Sequence, residues 1–314
     1  MAAVTVGYGP RMESYNPALP FINQFPKLTR WPLTPIEEAK MAAVKVFEQF
    51  RNVPPTLCLS GGLDSECMAL AFLEAKIPFR AATLVFENGL NDHDTKHAIQ
   101  LCRQKNIDHE IISLDVVKFF SENRHLKYLE PYACHLPEIA VQLHFLENLP
   151  DPLVWAGVAF RVFSKNKDPK IQAISEIEAV IYRYLKSNNR IGVPNFNFYS
   201  VELAWSFFIQ SLKKIDHIFE DDHDPEFYKE KLQFYLNCGF NPSLDNSRIQ
   251  KNHGFELTKA YFDSYLKKNN LGTYQSVYRD PVKKKFPLAK NSIINIPKDD
   301  GFARKILALD MRPR

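Results

Sequence analysis

Residues 60–65 read Ser-Gly-Gly-Leu-Asp-Ser and combine a flexible backbone with three polar side chains. Two adjacent glycines allow the chain to turn sharply and leave backbone N–H groups pointing outward. At the start of a helix these groups and the positive end of the helix dipole form an anion site. An ordinary glycine-rich turn does not need the polar side chains of Ser60, Asp64 and Ser65 for its packing. The stretch, called the 60–65 loop below, therefore predicts a phosphate-binding site.

The residues around the 60–65 loop predict a buried strand before it and a helix after it. Residues 56–59 form a short apolar run, and residues 66–73 carry apolar side chains at helical spacing. Pro78 follows shortly afterwards and marks the end of that helix. A strand–loop–helix unit of this kind holds its loop rigidly at the edge of a sheet.

Further strands are predicted at residues 79–86, 109–114 and 152–157, with a helix from about Asp94 to Lys105. Alternating strands and helices at this spacing predict parallel pairing with right-handed crossovers. Ligands of such sheets bind at the carboxyl ends of the strands. The 60–65 loop and Glu87 should therefore lie on one edge of the sheet.

The 60–65 loop, with its strand and helix, resembles the PP-loop of the ATP pyrophosphatase superfamily. This family includes asparagine, NAD and GMP synthetases, tRNA lysidine synthetase, tRNA thiolation enzymes and PAPS reductases, and the resemblance covers roughly residues 55–160. It implies an α/β fold with a parallel, Rossmann-like, three-layer core, and cleavage of ATP to AMP and pyrophosphate. The loop is not a Walker A motif, because it lacks Gly-Lys-Ser/Thr and so has no lysine of its own for the phosphates.

The resemblance assigns the 60–65 loop to the β,γ-diphosphate of ATP. Asp64 is expected to bind Mg²⁺ that bridges the phosphates, and Asp64, Ser60 and Ser65 are the expected catalytic residues. The diphosphate is expected to contact the backbone N–H groups of Gly61, Gly62 and Leu63 and the hydroxyls of Ser60 and Ser65.

Adenine is expected against the ends of the first two strands. The residues there are Leu59, Val85 and Phe86. Glu87, which follows the second strand, is a candidate for contact with the ribose or the base. The alternative for Glu87 is a solvated loop residue.

Gly157 ends the fourth predicted strand, where many family members carry one or two acidic residues that help to hold Mg²⁺. No acid occurs between Gly157 and Lys167. Asp64 is therefore the single predicted metal ligand, and Arg161, Lys165 and Lys167 are candidates to neutralise phosphate directly.

A second group of basic residues, Lys283 to Lys285, lies near the end of the sequence. Such a cluster is usually a solvated surface. The alternative is that one of these lysines folds back over the triphosphate, since the 60–65 loop lacks a lysine.

Composition predicts a globular chain without a membrane span. Of the 314 residues, 45% are hydrophobic and 24% charged, which is typical of soluble domains. The net charge of +4 is compatible with an anionic nucleotide and is only a weak sign of a nucleic-acid surface. No leader or long apolar run is visible, so the expected location is cytoplasmic.

The five cysteines are scattered, and none forms a Cys-x-x-Cys pair. A zinc or iron–sulfur site and a sulfur-carrying cysteine pair are therefore not predicted. Cys134 stands beside His135, where a thiolate next to a base is conceivable, although such a dipeptide is more often incidental.

Three regions are predicted. Residues 1–33 are rich in proline and aromatic residues and form an extended arm over the surface of the protein or of a partner. Residues 34–170 form the ATP-binding α/β domain with a leading helix. Residues 171–314 form a mostly helical substrate or accessory domain.

The predicted function is that of a PP-loop ligase, in which ATP activates a carbonyl or carboxyl oxygen for attack by ammonia or an amine. No amidotransferase domain is visible, so ammonia is expected from solution or from a separate glutaminase. Two alternatives stay open. One is an enzyme acting on tRNA or transferring sulfur, and the other is a non-catalytic nucleotide-binding protein that docks on a larger assembly through residues 1–33.

Overall fold

A computed structural model describes residues 5–8, 21–157, 161–163, 170–172, 176–212, 225–243, 254–285, 292–295 and 299–310. The strands are β1 (Thr5–Tyr8), β2 (Phe21–Gln24), β3 (Thr56–Cys58), β4 (Arg80–Phe86), β5 (His109–Leu114), β6 (Leu153–Trp155), β7 (Arg161–Phe163), β8 (Lys170–Gln172), β9 (Gly192–Val193) and β10 (Ser292–Asn295). The helices are α1 (Pro35–Gln49), α2 (Leu63–Glu74), α3 (Asp92–Lys105), α4 (Val116–Ser121), α5 (Leu126–Leu129), α6 (Pro137–Glu147), α7 (Glu176–Ser187), α8 (Val201–Leu212), α9 (Pro225–Asn237), α10 (Glu256–Lys268), α11 (Asp280–Lys285) and α12 (Gly301–Asp310).

The central sheet has five strands in the order β5-β4-β3-β6-β9, and every pairing in it is parallel. The central strand β3 is buried along its whole length, and its Leu57 lies opposite Ala81 of β4 and Val154 of β6. The predicted parallel sheet is therefore confirmed. β9 was not predicted, because two residues, one of them glycine, give no strand periodicity.

Two hydrophobic cores lie on the two faces of this sheet. Successive strand residues point to opposite faces, so Leu57 packs in one core and Cys58 in the other. The first core includes side chains of α1, α2, α8 and α9, and the second includes side chains of α4, α6, α7 and α10. The predicted three-layer α/β architecture is confirmed.

Residues 21–28 belong to the packed fold rather than to a surface arm. β2 lies in a second sheet between β1 and β10, antiparallel to the first and parallel to the second. Phe25 and Leu28 are buried in the first core. The backbone N–H of Leu28 donates to the Asp300 carboxylate at 2.8 Å. Local sequence patterns missed this sheet because its strand partner lies near the other end of the chain.

Capping residues mark the starts of two helices and the end of a third. Thr34 and Glu37 form the capping box of α1, and the Ser200 hydroxyl accepts from the backbone N–H of Leu203 at the start of α8 at 3.2 Å. Gly239 follows α9 with a φ of +88°, as expected of a glycine that ends a helix. No helix in the described part of the chain has the length and apolar character that a membrane crossing requires.

Candidate functional site

The two serine hydroxyls of the 60–65 loop hold the shape of the loop itself. The Ser65 hydroxyl donates to the carbonyl oxygen of Gly62 at 2.9 Å and accepts from the backbone N–H of Ser60 at 3.3 Å. The Ser60 hydroxyl accepts from the backbone N–H of Gly62 at 3.2 Å. Ser60 is exposed and Ser65 is buried. Ser60 therefore faces the side from which a ligand can approach, whereas Ser65 acts from behind the loop.

Gly61 brings the loop against the first turn of α3. Its φ of +86° lies in the left-handed region, and a Cβ atom there would stand 2.0 Å from the carbonyl oxygen of Asp94. No side chain can be accommodated at that distance from a backbone atom. The glycine is therefore required both by its conformation and by the close approach of α3.

Asp64 lies in the first turn of α2 and is held by two side chains of α9. Its Oδ2 accepts from the ammonium of Lys231 at 2.5 Å, and its Oδ1 accepts from the hydroxyl of Tyr235. The side chains of Asp64 and Lys231 are each 20% exposed, so the pair remains accessible to a ligand. Lys231 thus brings to the loop the cation that the motif lacks.

No local sequence pattern marks Lys231 or Tyr235 as residues of the site. The two residues are one helical turn apart, which places both on one face of α9. A lysine within a charged helix gives no local signal of function. Lys231 and Asp64 are 167 positions apart, and their contact depends on how the helical region packs onto α2.

Tyr235 is fully buried, and its burial keeps the phenol in the protonated form that donates a hydrogen bond. Burial raises the pKa of Tyr235 well above its ordinary value, and the neighbouring charge of Asp64 raises it further. The phenol therefore stays protonated in any ordinary buffer. It donates to Asp64 and fixes the direction of that carboxylate.

The Asp64 carboxylate fits the predicted role of Mg²⁺ ligand. Among the described residues, no three His, Cys, Asp or Glu side chains gather into a metal-binding group. Mg²⁺ at nucleotide sites is commonly held by one or two carboxylates together with substrate phosphates and water. An ionised carboxylate offers about four acceptor positions, so the contacts with Lys231 and Tyr235 leave capacity for a metal ion.

The strand ends predicted to face adenine are already well packed. Leu59 and Phe86 are buried, and Phe86 packs edge-on against Phe255 with ring centroids 5.3 Å apart. The backbone N–H of Phe86 donates to the side chain of Asn91 at 2.7 Å. Contact with adenine at β4 thus stays a prediction for Val85 and Glu87, which are half-buried and exposed, respectively.

Gly157 follows β6 with a φ of +68°, and the side chain of Asn195 lies against it. A Cβ atom at Gly157 would stand 2.1 Å from the Asn195 amide oxygen. The side-chain nitrogen of Asn195 donates to the carboxylate of Glu178 at 2.9 Å. Of the basic candidates after the turn, Arg161 begins β7, and Lys165 and Lys167 lie outside the described residues.

Glu178 of α7 is a buried acid behind the Gly157 turn that sequence analysis missed. Burial raises its pKa to about 7, partly offset by the hydrogen bond from Asn195. The carboxyl is fully buried and bonded to the Asn195 amide, so it is not accessible to a ligand. It therefore does not replace the acids that are missing after Gly157.

The raised pKa of Glu178 predicts a loss of stability as the pH rises. The unfolded chain ionises this carboxyl from its ordinary pKa of 4.5 upward, whereas the folded chain retains the proton to about 7. The free energy of unfolding should fall across that interval by about 3 kcal/mol. Glu178→Gln should remove this fall, as measured by urea unfolding at about pH 5 and about pH 8. Glu110→Gln, at an exposed position of β5, is the control and should behave as the wild type.

All five cysteines are buried. Cys134 is fully buried, its thiol donates to the carbonyl oxygen of Leu136 at 3.1 Å, and burial raises its pKa far above the ordinary value. The neighbouring His135 is buried as well. A reactive thiolate at Cys134 is therefore not supported, in agreement with the simpler interpretation of this dipeptide.

Comparison with known proteins finds no protein-family model and no curated protein that matches the sequence. Solved structures with a related arrangement include a predicted subunit of a tRNA methyltransferase from Methanocaldococcus jannaschii, which is 17% identical, covers 48% of this chain and 71% of its own, and has a TM-score of 0.29. An NMN synthetase from Francisella tularensis is 16% identical over 72% of this chain and 97% of its own, with a TM-score of 0.32. An NH3-dependent NAD synthetase from Campylobacter jejuni is 15% identical over 67% and 99%, with a TM-score of 0.29.

The sheet order and the 60–65 loop define the class of fold. The loop joins β3, the central parallel strand, to the first turn of α2, at the carboxyl edge where such sheets bind ligands. The fold is a parallel, Rossmann-like α/β sheet flanked by helices, and the sequence of its loop resembles the PP-loop of the ATP pyrophosphatase superfamily.

Proposed function

We propose that this protein is an ATP-dependent adenylating enzyme. It binds the β,γ-diphosphate of ATP on the 60–65 loop, cleaves ATP to AMP and pyrophosphate, and activates a carbonyl or carboxyl oxygen of a second substrate. The observation that carries the proposal is the complete loop at the end of β3, with Asp64 oriented by Lys231 and Tyr235. Turn formation accounts for the serine hydroxyls but not for the Asp64 carboxylate, which is held in a partly exposed position by a lysine from another region.

Each polar residue of the site has a role in this reaction. Ser60 and the loop backbone bind the diphosphate, while Lys231 neutralises charge that develops on it as it leaves. Tyr235 keeps Asp64 in one orientation. Asp64 would hold Mg²⁺, whose positive charge would make the diphosphate a better leaving group. With the diphosphate bound by these groups, the α-phosphate is open to in-line attack by the acceptor oxygen.

Nitrogen is the favoured second nucleophile. A sulfur-transferring enzyme needs an accessible thiolate or a cysteine pair, and all five cysteines here are buried. Displacement of AMP by ammonia or an amine needs no cysteine. The reaction we propose is therefore amide formation, with ammonia from solution or from a separate glutaminase.

Product analysis tests this proposal. Purified protein with ATP, Mg²⁺ and candidate carboxylates, amides or tRNA should release AMP and pyrophosphate. ATP–pyrophosphate exchange in the presence of one acceptor class would identify that class. Formation of ADP would contradict adenylation. Tight ATP binding with no turnover for any acceptor would also contradict it and would favour the non-catalytic alternative.

Lys231→Ala should lower kcat/KM for ATP by about 10²-fold, because one preorganised charge at the leaving group is lost. Lys229→Ala is the matched control, since Lys229 lies on the same helix but is exposed. Initial rates of pyrophosphate release measure the effect, and thermal unfolding verifies that both variants fold. An unchanged kcat/KM for Lys231→Ala would mean that Lys231 only joins α9 to α2.

A further inference from the structure

One helix of the C-terminal region exposes an unusual amount of apolar surface. Ten large apolar side chains are exposed among the described residues, and four of them lie within 15 positions of the chain. Leu257, Tyr261 and Tyr265 are on α10, with exposures of 48%, 42% and 52%, and Leu271 follows the helix at 58%. The three helix residues are called the α10 stripe below. Scattered exposed apolar residues are ordinary in proteins, but such a concentration indicates a binding surface.

The geometry of the α10 stripe suits flat aromatic ligands. Its residues recur every fourth position, next to the buried row formed by Thr258, Phe262 and Leu266. The rings of Tyr261 and Tyr265 are parallel to within 2°, with centroids 6.5 Å apart. One residue per turn is a narrower stripe than a helix needs to bury itself against a protein partner. It is sufficient for aromatic faces on which nucleobases stack.

The charge of the protein is concentrated around the same helix. Residues 254–285 contain seven basic and three acidic residues, a net charge of +4 that equals the net charge of the whole chain. The three acids have partners, since Glu256 pairs with His93 at 3.1 Å, Asp263 accepts from the backbone N–H of Tyr274 at 2.8 Å and Asp280 accepts from the side chain of Gln275. Three of the basic residues are paired as well, Lys259 and Arg279 with Glu138 and Lys285 with Glu130. Lys267 and Lys268 are exposed at the end of α10. This surface therefore favours a polyanion.

The helix begins close to the candidate nucleotide site. Gly254 lies against the carboxylate of Asp94, whose backbone carbonyl contacts Gly61 of the 60–65 loop. Phe255 packs on Phe86 at the end of β4. A ligand that runs along α10 would thus approach the edge of the sheet that carries the loop.

We propose that the α10 stripe, with Lys267 and Lys268, binds single-stranded nucleic acid. Bases stack on Tyr261 and Tyr265, and the two lysines contact phosphates. The inference goes beyond the proposed adenylation and does not depend on it, because binding requires no ATP. Should both be correct, the bound strand is a candidate to carry the acceptor group.

Fluorescence anisotropy with labelled oligonucleotides of about 12 nucleotides tests this binding. The full chain should bind oligo(U) or oligo(dT), and preference between them separates RNA from DNA as the source of the strand. A Tyr261→Ala/Tyr265→Ala variant should weaken binding about tenfold or more, whereas Tyr261→Phe/Tyr265→Phe should retain it because phenyl rings still stack. Lys267→Ala/Lys268→Ala should reduce the steepness of the salt dependence measured between about 50 and 200 mM salt.

Trp31→Ala, which removes an exposed aromatic side chain elsewhere, is the control and should bind as the wild type. The inference fails if no oligonucleotide binds at low salt, if the double alanine variant binds unchanged, or if duplex DNA binds as tightly as single strands. Size-exclusion chromatography tests whether the α10 stripe is instead a contact between two copies of the chain. A dimer that dissociates in the double alanine variant would make the stripe a protein interface and overturn the proposal.

Discussion

Asp64→Asn is expected to lower the rate of pyrophosphate release by about 10³-fold while the protein remains folded. Asparagine keeps an acceptor for the buried hydroxyl of Tyr235, so the packing of α9 on α2 survives. It removes the negative charge that pairs with Lys231 and that is proposed to hold Mg²⁺. Steady-state rates of AMP and pyrophosphate formation measure the effect, and circular dichroism verifies the fold.

Asp92→Asn is the matched control for this experiment. Asp92 also lies at the first turn of a helix, α3, but it is exposed and outside the 60–65 loop. It should retain wild-type activity. Equal rates for Asp64→Asn and wild type would remove Asp64 from the reaction, and equal losses in both variants would mean that any change of charge on this edge disturbs binding.

Gly61→Ala is expected to destabilise the fold and to abolish ATP binding. The added methyl group meets the Asp94 carbonyl at 2.0 Å, and alanine is strained at a φ of +86°. Together these effects should cost about 2–5 kcal/mol of unfolding free energy, which lowers Tm by about 4–10 °C. If the loop moves aside to relieve the clash, it loses the geometry that binds phosphate. Differential scanning calorimetry with and without ATP measures both effects.

Gly301→Ala offers a control with the same change of side chain. A Cβ atom at Gly301 meets nothing within 4 Å, so this variant should match the wild type in Tm and in stabilisation by ATP. A Gly61→Ala protein that is stabilised by ATP as strongly as wild type would contradict the assignment of the loop to phosphate.

The sheet was predictable because its strands carry local patterns. β3 lies in the short, mostly apolar stretch 56–59, β4 has five apolar residues among its seven, and the glycines of the 60–65 loop mark the turn into α2. The capping contacts of Thr34 and Ser200 at the starts of α1 and α8 are also local, since each joins residues within one helical turn. Only β9, with two residues in the sheet, was too short to show a period.

The surroundings of the loop were less predictable, since they depend on contacts between distant parts of the chain. Nothing near Lys231 or Tyr235 in sequence marks them as partners of Asp64. Burial of Glu178 behind Gly157 likewise follows from the packing of α7 and not from its own helix pattern. The roles of the loop residues in binding ATP remain predictions that the variants above address.

The sheet that joins β2 to β10 has a consequence for synthesis of the chain. Leu28 and its acceptor Asp300 are 272 positions apart, and at about 5–20 residues per second a ribosome needs tens of seconds to make the intervening segment. Throughout that time one edge of β2 lacks its final strand. A nascent chain with an open β edge is prone to pair with other chains, so yield of the native protein should depend on chaperones that shield the N-terminal segment until translation ends.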